Sequence, residues 1–317
     1  MTETTSTQGP PLLDGIVVSS AHGGDYAVSA DGQVSACRMR GRIKTAVGDR
    51  LAHLCVGDRV RFFRSPDEPE RGRIDEVLPR TSELSRGRPG KPPQLIVVNI
   101  DQLVVVASTW EPDLSLHRID RFLTLAAMAE VPAFVVLNKI DLDEDDELRE
   151  LVHEVYDPLG ITVICTSAET GDGLDELDDA LAGRISAVVG VSGAGKSSLL
   201  NGLNPGYELR TGEVMDIGKG RHTTTATRLL PLDRGGWIAD TPGIKTVALL
   251  SARVTPELLP ELFPELEPFV GQCQFNNCSH RSEPGCLVRA GVEAGEIAES
   301  RYDSYVRLYE ELKAGLT

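Results

Sequence analysis

The chain has 317 residues, 41% hydrophobic and 25% charged, with a formal net charge of −16 at pH 7. That is the composition of a soluble globular protein long enough for two or three domains. No apolar run reaches about 18 residues, which excludes a membrane-spanning helix; the acidic balance argues against a polyanionic partner for the chain as a whole.

The start, MTETTSTQGPP, has neither a basic stretch nor an apolar one and reads as a disordered leader over residues 1–11, not as an export signal. Charge is unevenly spread. Ser35 to Leu95 hold 14 Lys/Arg against 8 Asp/Glu, and the acid lies downstream. Any nucleic-acid contact is therefore expected in the first third. Residues 12–82 alternate apolar and polar positions in GIVVSS, DYAVSA, QVSACRM and DRVRFFR. Turn signals GG, DG and VGD separate them, so this span predicts a small β-barrel. Pro89, Pro92 and Pro93 argue against a packed element next, and 83–95 reads as a linker.

From residue 96 to 250 the texture is α/β. LIVVNIDQLVVVAS is long, apolar and β-branched, and LHRIDRFLTLAAMAE places Ile119, Phe122, Leu123 and Ala126 on one helical face. A strand over 133–137, an acidic helix near 144–157, a strand over 161–165, a helix near 173–183 and a strand over 185–190 follow. The alternation implies a mostly parallel sheet covered on both faces.

Three strand ends carry chemistry. FVVLNKIDL delivers Asn138, Lys139, Ile140 and Asp141. Asp141 is suited to accept from the guanine N1–H and exocyclic amine. Adenine lacks that donor pair, and a carboxylate left unpaired is costly. Asn138 is suited to the other base edge, and Lys139 to packing over the ring. In CTSAETG the Ser167–Ala168 backbone is positioned for the guanine oxygen. GVSGAGKS fits GxxxxGK[ST] between an apolar strand and a helical run, the context this phosphate loop requires. Its nucleotide contacts are Gly190, Val191, Ser192, Gly193, Ala194, Gly195, Lys196, Ser197 and Ser198. Lys196 is placed for the β- and γ-phosphates and Ser197 for Mg²⁺.

WIADTPGI puts Asp240 at a strand end, a candidate Mg²⁺ ligand through water, with the Gly243 amide as γ-phosphate sensor. Between these motifs GKGRHTTTATRL offers Thr223, Thr224 and Thr225. Thr224 is the first choice to complete the Mg²⁺ shell and to act in catalysis with Lys196, in a segment that orders on the γ-phosphate. The base reader thus precedes the phosphate loop, the reverse of the usual order. Ligands of an open α/β sheet gather at strand carboxyl ends whatever the chain order, so the order implies a circular permutation.

Beyond 251, Cys273, Cys278, His280 and Cys286 form CxxxxCxHxxxxxC. Three thiolates and an imidazole suit a closed tetrahedral Zn²⁺ site, one per chain. YDSYVRLYEELK reads as a closing amphipathic helix.

Taken together, CRMRGRIK, VLPRTSELSR, NIDQLVVVAS, NKID, GVSGAGKSSLLN, GRHTTT, DTPG and the cysteine cluster resemble the RsgA family of bacterial small-ribosomal-subunit biogenesis GTPases, circularly permuted members of the TRAFAC class. The resemblance covers almost the whole chain. It implies a multidomain α/β architecture: an N-terminal OB-fold barrel, a central permuted P-loop GTPase domain and a C-terminal helical zinc-binding domain over 251–317. It implies a cytoplasmic GTPase acting late in maturation of the small subunit, bound to its rRNA and stimulated by the subunit, with GTP and GDP as ligands; monomer is the default oligomeric state. Barrels of this type bind RNA, and the local positive charge points to Arg38, Arg40, Arg42 and Lys44. The position after Asp-x-x-Gly, where Ras-type enzymes place a water-orienting glutamine, is Ile244. His222 is the nearest polar alternative, and the resemblance points to it. Competing classes are a nucleotide-gated RNA-binding checkpoint factor with incidental hydrolysis, another nucleoside-triphosphate enzyme, and a stand-alone zinc module. Asp141 opposes ATP, and the acidic C-terminal region opposes a polyanion-binding module.

Overall fold

The computed structural model describes residues 11–20, 25–39, 54–88, 91–207, 227–240 and 254–315. Arg40, Arg42, Lys44, His222, Thr223, Thr224, Thr225 and Gly243 lie outside the described residues.

Five strands form the first unit: β1 (Leu12–Ser20), β2 (Asp25–Ala30), β3 (Gln33–Met39), β4 (Arg59–Arg64) and β5 (Arg71–Val77). They run in the order β1-β2-β3-β5-β4, and β4 returns to pair with β1. Every pairing is antiparallel except β3 with β5. Alternation decides the interior: QVSACRM turns Ser35 and Cys37 inward, and RVRFFR turns Val60 and Phe62. With Val17, Val28, Ile74 and Val77 they fill the barrel. This closed, five-stranded arrangement is the OB fold. The charged strand RGRIDEV was not anticipated from sequence, because only Ile74 and Val77 in it are fully buried.

The expected linker over 83–95 is corrected by the structure. β6 (Glu83–Arg88) and β7 (Lys91–Val98) pair antiparallel as a separate two-stranded ribbon. Pro92 and Pro93 are tolerated because they fall at the irregularity where the register passes from Arg86–Gln94 to Arg88–Lys91 and neither has a registered partner. Leu84, Ile96 and Val97 are buried in the central core and anchor it. Asn99 ties it to the barrel, accepting from the Thr81 N–H at 2.8 Å and donating to the Gly57 carbonyl at 2.9 Å. The apolar run LIVVNIDQLVVVAS therefore belongs to two sheets and breaks at Asn99–Asp101.

The second unit is a sheet of β8 (Gln102–Ser108), β9 (Ala133–Asn138), β10 (Val163–Thr166), β11 (Ile185–Gly190), β12 (Arg228–Pro231) and β13 (Trp237–Asp240). The order is β10-β9-β8-β11-β13-β12, parallel except for β12. Helices α1 (Leu116–Met128), α2 (Glu147–Tyr156), α3 (Leu174–Leu181) and α4 (Lys196–Leu203) cover it. Leu103 and Val105 of β8 join Ile119 and Val152 on one face, and Val104 and Val106 join Leu177 and Leu199 on the other. Burial on both faces is why β8 reads as an unbroken apolar run. At its far edge β12 meets β1 through Ser19 and Arg228, making one continuous sheet with the barrel.

The third unit holds α5 (Leu287–Glu293) and α6 (Glu299–Lys313) around Leu259, Phe263, Leu266, Val288, Tyr305 and Leu308. Helix α6 lies against α1. Arg301, 2% exposed, bonds Asp120 Oδ1 at 2.5 Å and Glu265 Oε1 at 2.6 Å, and Arg121 pairs with Glu311.

Candidate nucleotide site and metal centre

Loops at the carboxyl ends of β8, β9, β10 and β11 converge on one edge of the parallel sheet, and Asp240 ends β13 at the same edge, where ligands of such sheets bind. The loop after β11 turns through Gly190, Gly193 and Gly195, with φ of +148°, +86° and +89°. A Cβ on Gly195 would collide with the Asn138 amide, and one on Gly190 with the Val106 carbonyl. Glycine is required at both for conformation and for space. Lys196 opens α4 and folds its Nζ back onto the carbonyls of Gly190 (2.8 Å) and Val191 (2.6 Å). Ser197 and Ser198 follow in the first turn, partly exposed.

The residues expected to read the base are physically joined to this loop. Asn138, 1% exposed, donates Nδ2–H to the Ala194 carbonyl at 3.0 Å. Its Oδ1 accepts from Thr166 Oγ1 and from the Ala168 N–H, both at 3.3 Å. Ser167 Oγ donates to Asp141 Oδ1 at 2.5 Å and accepts from the Glu169 and Thr170 N–H groups. The strand-end loop of β10 thus holds both Asn138 and Asp141. Ile140 and Asp141 lie in a single 3₁₀ turn, and Asp141 is exposed toward solvent, open to a base.

Sequence reasoning missed the loop after β8. Lys139, in the left-handed region at φ +65°, donates Nζ–H to the carbonyls of Trp110 at 3.0 Å and Glu111 at 2.5 Å. Thr109 Oγ1 donates to the Lys139 carbonyl at 2.6 Å. A Cβ on Gly193 would lie 3.2 Å from Pro112 Cδ and 3.4 Å from the Glu111 carbonyl oxygen, so the two loops run side by side. Thr109–Pro112 therefore straps the base reader to the phosphate loop. The signal for it was position alone: it leaves the strand that lies between β9 and β11.

Asp240 ends β13 beside β11, and its Oδ2 accepts from Arg228 Nε at 3.2 Å. Ser197 and Asp240, an alcohol and a carboxylate at neighbouring strand ends, are oxygen donors of the kind Mg²⁺ takes. Arg38 projects from β3, three-quarters exposed, and bonds Asp25 Oδ1 at 2.5 Å.

In the third unit the ligand atoms of Cys273, Cys278, His280 and Cys286 all lie within 4.8 Å of one another. Nδ1 of His280 is 3.5 Å from Cys273 Sγ and 3.6 Å from Cys286 Sγ. A tetrahedron with ordinary Zn–N and Zn–S bonds has an N···S edge of about 3.6 Å, so the residues fit the ion. Tyr302 and Tyr305 fix the ligand loop, donating to the carbonyls of His280 (2.9 Å) and Ser279 (2.8 Å). Burial pushes the Cys278 thiol up to about 12 and lowers the His280 imidazole. A bound dication would offset the cost of burying charge and hold the cysteines as thiolates beside a neutral imidazole.

Comparison with known proteins agrees with this geometry. Residues 77–250 match the family model described as RsgA GTPase. The small ribosomal subunit biogenesis GTPase RsgA of Moorella thermoacetica is 41% identical over 294 residues, covering 92% of this chain and 95% of that protein. Its namesake from Gemmatimonas aurantiaca is 41% identical over 313 residues, 98% of each. The crystal structure of YjeQ from Thermotoga maritima superposes with a TM-score of 0.77 at 39% identity, covering 95% of this chain and 99% of that one. YloQ, described as a circularly permuted GTPase, gives 0.74 at 29% identity, covering 99% and 98%. On its sequence, its strand order and its joined phosphate and base loops, the chain belongs to the RsgA GTPase family.

Proposed function

We propose that this protein binds GTP at the carboxyl edge of the central sheet and hydrolyses it to GDP and phosphate in late maturation of the small ribosomal subunit, held on the subunit's rRNA and stimulated by it. The observation that carries the reading is the Asn138–Ala194 bond, which makes base reader and phosphate loop one site.

Asp141, oriented by Ser167, accepts from the guanine N1–H and exocyclic amine; Asn138 has a second Nδ2–H for the other base edge, and the Ala168 N–H exchanges Asn138 Oδ1 for the guanine oxygen. Lys196 leaves the Gly190 and Val191 carbonyls for the β- and γ-phosphate oxygens, where its charge offsets the negative charge that develops on transfer. Ser197, Asp240 and Thr224 would hold Mg²⁺, which would supply positive charge against the phosphate oxygens. Asp240 exchanges its Arg228 partner for that role. His222 orients the attacking water, because Ile244 has no polar side chain. Low basal turnover follows if the His222 segment becomes productive only on the ribosomal particle.

The barrel contacts RNA through Arg38, Arg40, Arg42 and Lys44. Cys273, Cys278, His280 and Cys286 hold one structural Zn²⁺. The division at 12–82, 96–250 and 251–317 assigns RNA contact, hydrolysis and scaffolding to successive units. No helix among the described residues is long and apolar enough to cross a membrane; a ribosomal role places the protein in the cytoplasm, working as a monomer.

The test is GTP hydrolysis by the purified protein, alone and with isolated small subunits, with large subunits and ATP as controls. Stimulation by small subunits with GTP only is expected. GTP binding without stimulation would remove the partner and keep the nucleotide site; ATP competing equally would remove the base assignment. His222→Ala is expected to abolish the stimulated rate and spare GTP binding.

A further inference from the structure

Three of the six cysteines belong to the metal cluster. Cys37 is sealed inside the barrel and Cys55 is partly exposed, and burial pushes their thiols up to about 11 and about 12. Cys165 stands apart from them. It is the third residue of β10, partly exposed. Its Sγ lies 3.6 Å from Nε2 of His153 on α2. The other ring nitrogen, Nδ1, lies 3.0 Å from Oδ2 of Asp157, one turn further along the chain. A carboxylate accepting from Nδ1–H fixes the tautomer in which Nε2 is the acceptor facing the thiol. The order is nucleophile, base and orienting carboxylate, by which enzymes activate a thiol. The nucleotide chemistry uses none of the three side chains.

Burial raises the Cys165 pKa, Arg149 opposes the rise, and the carboxylates of Glu176, Asp143 and Asp157 add to it. The resting group is therefore a thiol, and reaction requires a base within reach of its proton. His153 is that base.

We infer that Cys165 is a site of thiol–disulfide exchange with low-molecular-weight disulfides, and that the adduct weakens guanine-nucleotide binding. His153 Nε2 takes the Sγ proton as the sulfur attacks one sulfur of the small disulfide. A protein–small-molecule S–S bond forms as the original S–S bond breaks, and the departing thiolate takes the proton from His153. Cys165 is oxidised to a mixed disulfide, one small thiol is released, and excess free thiol reverses the step. Asp157 is a positioning residue. The consequence for binding rests on the guanine reading above. Thr166, Ser167 and Ala168 directly follow Cys165 and hold Asn138 and Asp141, and the Cys165 carbonyl is in close contact with Gly173 at the start of α3. An adduct wedged between α2 and β10 displaces that loop.

The experiment treats full-length, zinc-loaded protein with oxidised glutathione, maps adducts by peptide mass and titrates GDP before and after. Cys165 is expected to react about tenfold or more faster than Cys37 and Cys55. His153→Gln is expected to slow it by about tenfold or more and to move the rise of rate to higher pH, as loss of a general base does. GDP affinity is expected to fall about tenfold on modification and to return with reductant, whereas Cys165→Ser binds GDP and ignores the reagent. Equal reactivity of the three cysteines, or an unchanged rate in His153→Gln, overturns the site. An adduct at Cys165 with unchanged GDP affinity overturns the regulatory half. Unmodified protein that binds no GDP overturns the nucleotide reading and leaves the adduct map to judge the thiol.

Discussion

At the scale of single residues, Asn138 and Gly195 illustrate how the site is joined. Asn138 spends its Nδ2 on the Ala194 carbonyl and its Oδ1 on Thr166 and Ala168, so one buried amide sets the distance between two loops far apart in sequence. Gly195 has no Cβ because that amide occupies the space. Gly195→Ala is expected to abolish GDP binding while the far-ultraviolet circular dichroism stays native; strain at a left-handed position costs about 1–3 kcal/mol, borne here by the loop that must touch phosphate. Asp141→Asn is expected to weaken GTP by roughly two to three orders of magnitude, since the carboxylate charge is lost and an amide N–H now faces the exocyclic amine, donor against donor. It should favour xanthosine triphosphate, whose C2 carbonyl oxygen accepts from the new amide. Competition titration with the two nucleotides checks this. Asp141, Lys196 and the glycines were legible because each motif follows an apolar strand. The Thr109–Pro112 strap was not, because it acts through main-chain carbonyls, which leave no mark on residue type.

At the scale of elements, the junction of α1 and α6 decides how the metal-binding unit is carried. Asp120 and Glu265 both bond Arg301, and Tyr156 donates to Asp120 at 2.7 Å. Arg301→Met leaves two carboxylates buried without a cation and is expected to cost about 3–5 kcal/mol in urea unfolding. Asp120 in this clasp was hidden in sequence, since LHRIDRFLTL shows its apolar stripe but not the polar partner on α6. His117, on the same helix, has its pKa lowered from 6.5 by burial, with Arg307 lowering it further and Glu311 opposing. The folded pKa lies below the unfolded one, so the unfolded chain binds more protons on the acid side. His117's contribution is present above about pH 6.5 and is lost as pH falls through that value toward the folded pKa. His117→Gln is expected to flatten the acid limb of the stability–pH curve, measured by denaturant midpoints from pH 7.5 to 5. The ribbon over 83–98 teaches a related lesson: prolines forbid a central strand, not an edge pair anchored by Leu84 and Val97.

At the scale of the whole molecule, the third unit has a small core and a cluster of four side chains that could hold a metal ion as a cross-link. Chelation by a strong zinc ligand is expected to lower the melting temperature and part of the helical signal while GDP affinity holds, since the nucleotide loops are built on the central sheet; calorimetry and GDP titration on one sample check both. The sequence by itself determined the chemistry and the local folds. Period-2 and period-3.6 patterns marked the strands and helices, and NKID, the phosphate loop and the cysteine–histidine spacing pointed to a guanine nucleotide and a metal ion, because those signals are confined to a few neighbouring residues. Only the tertiary structure decided what joins them: Asn138 to Ala194, Arg301 to Asp120, Cys165 to His153, and β12 to β1. Such contacts depend on where distant chain segments are brought together, and no local residue pattern encodes that distance.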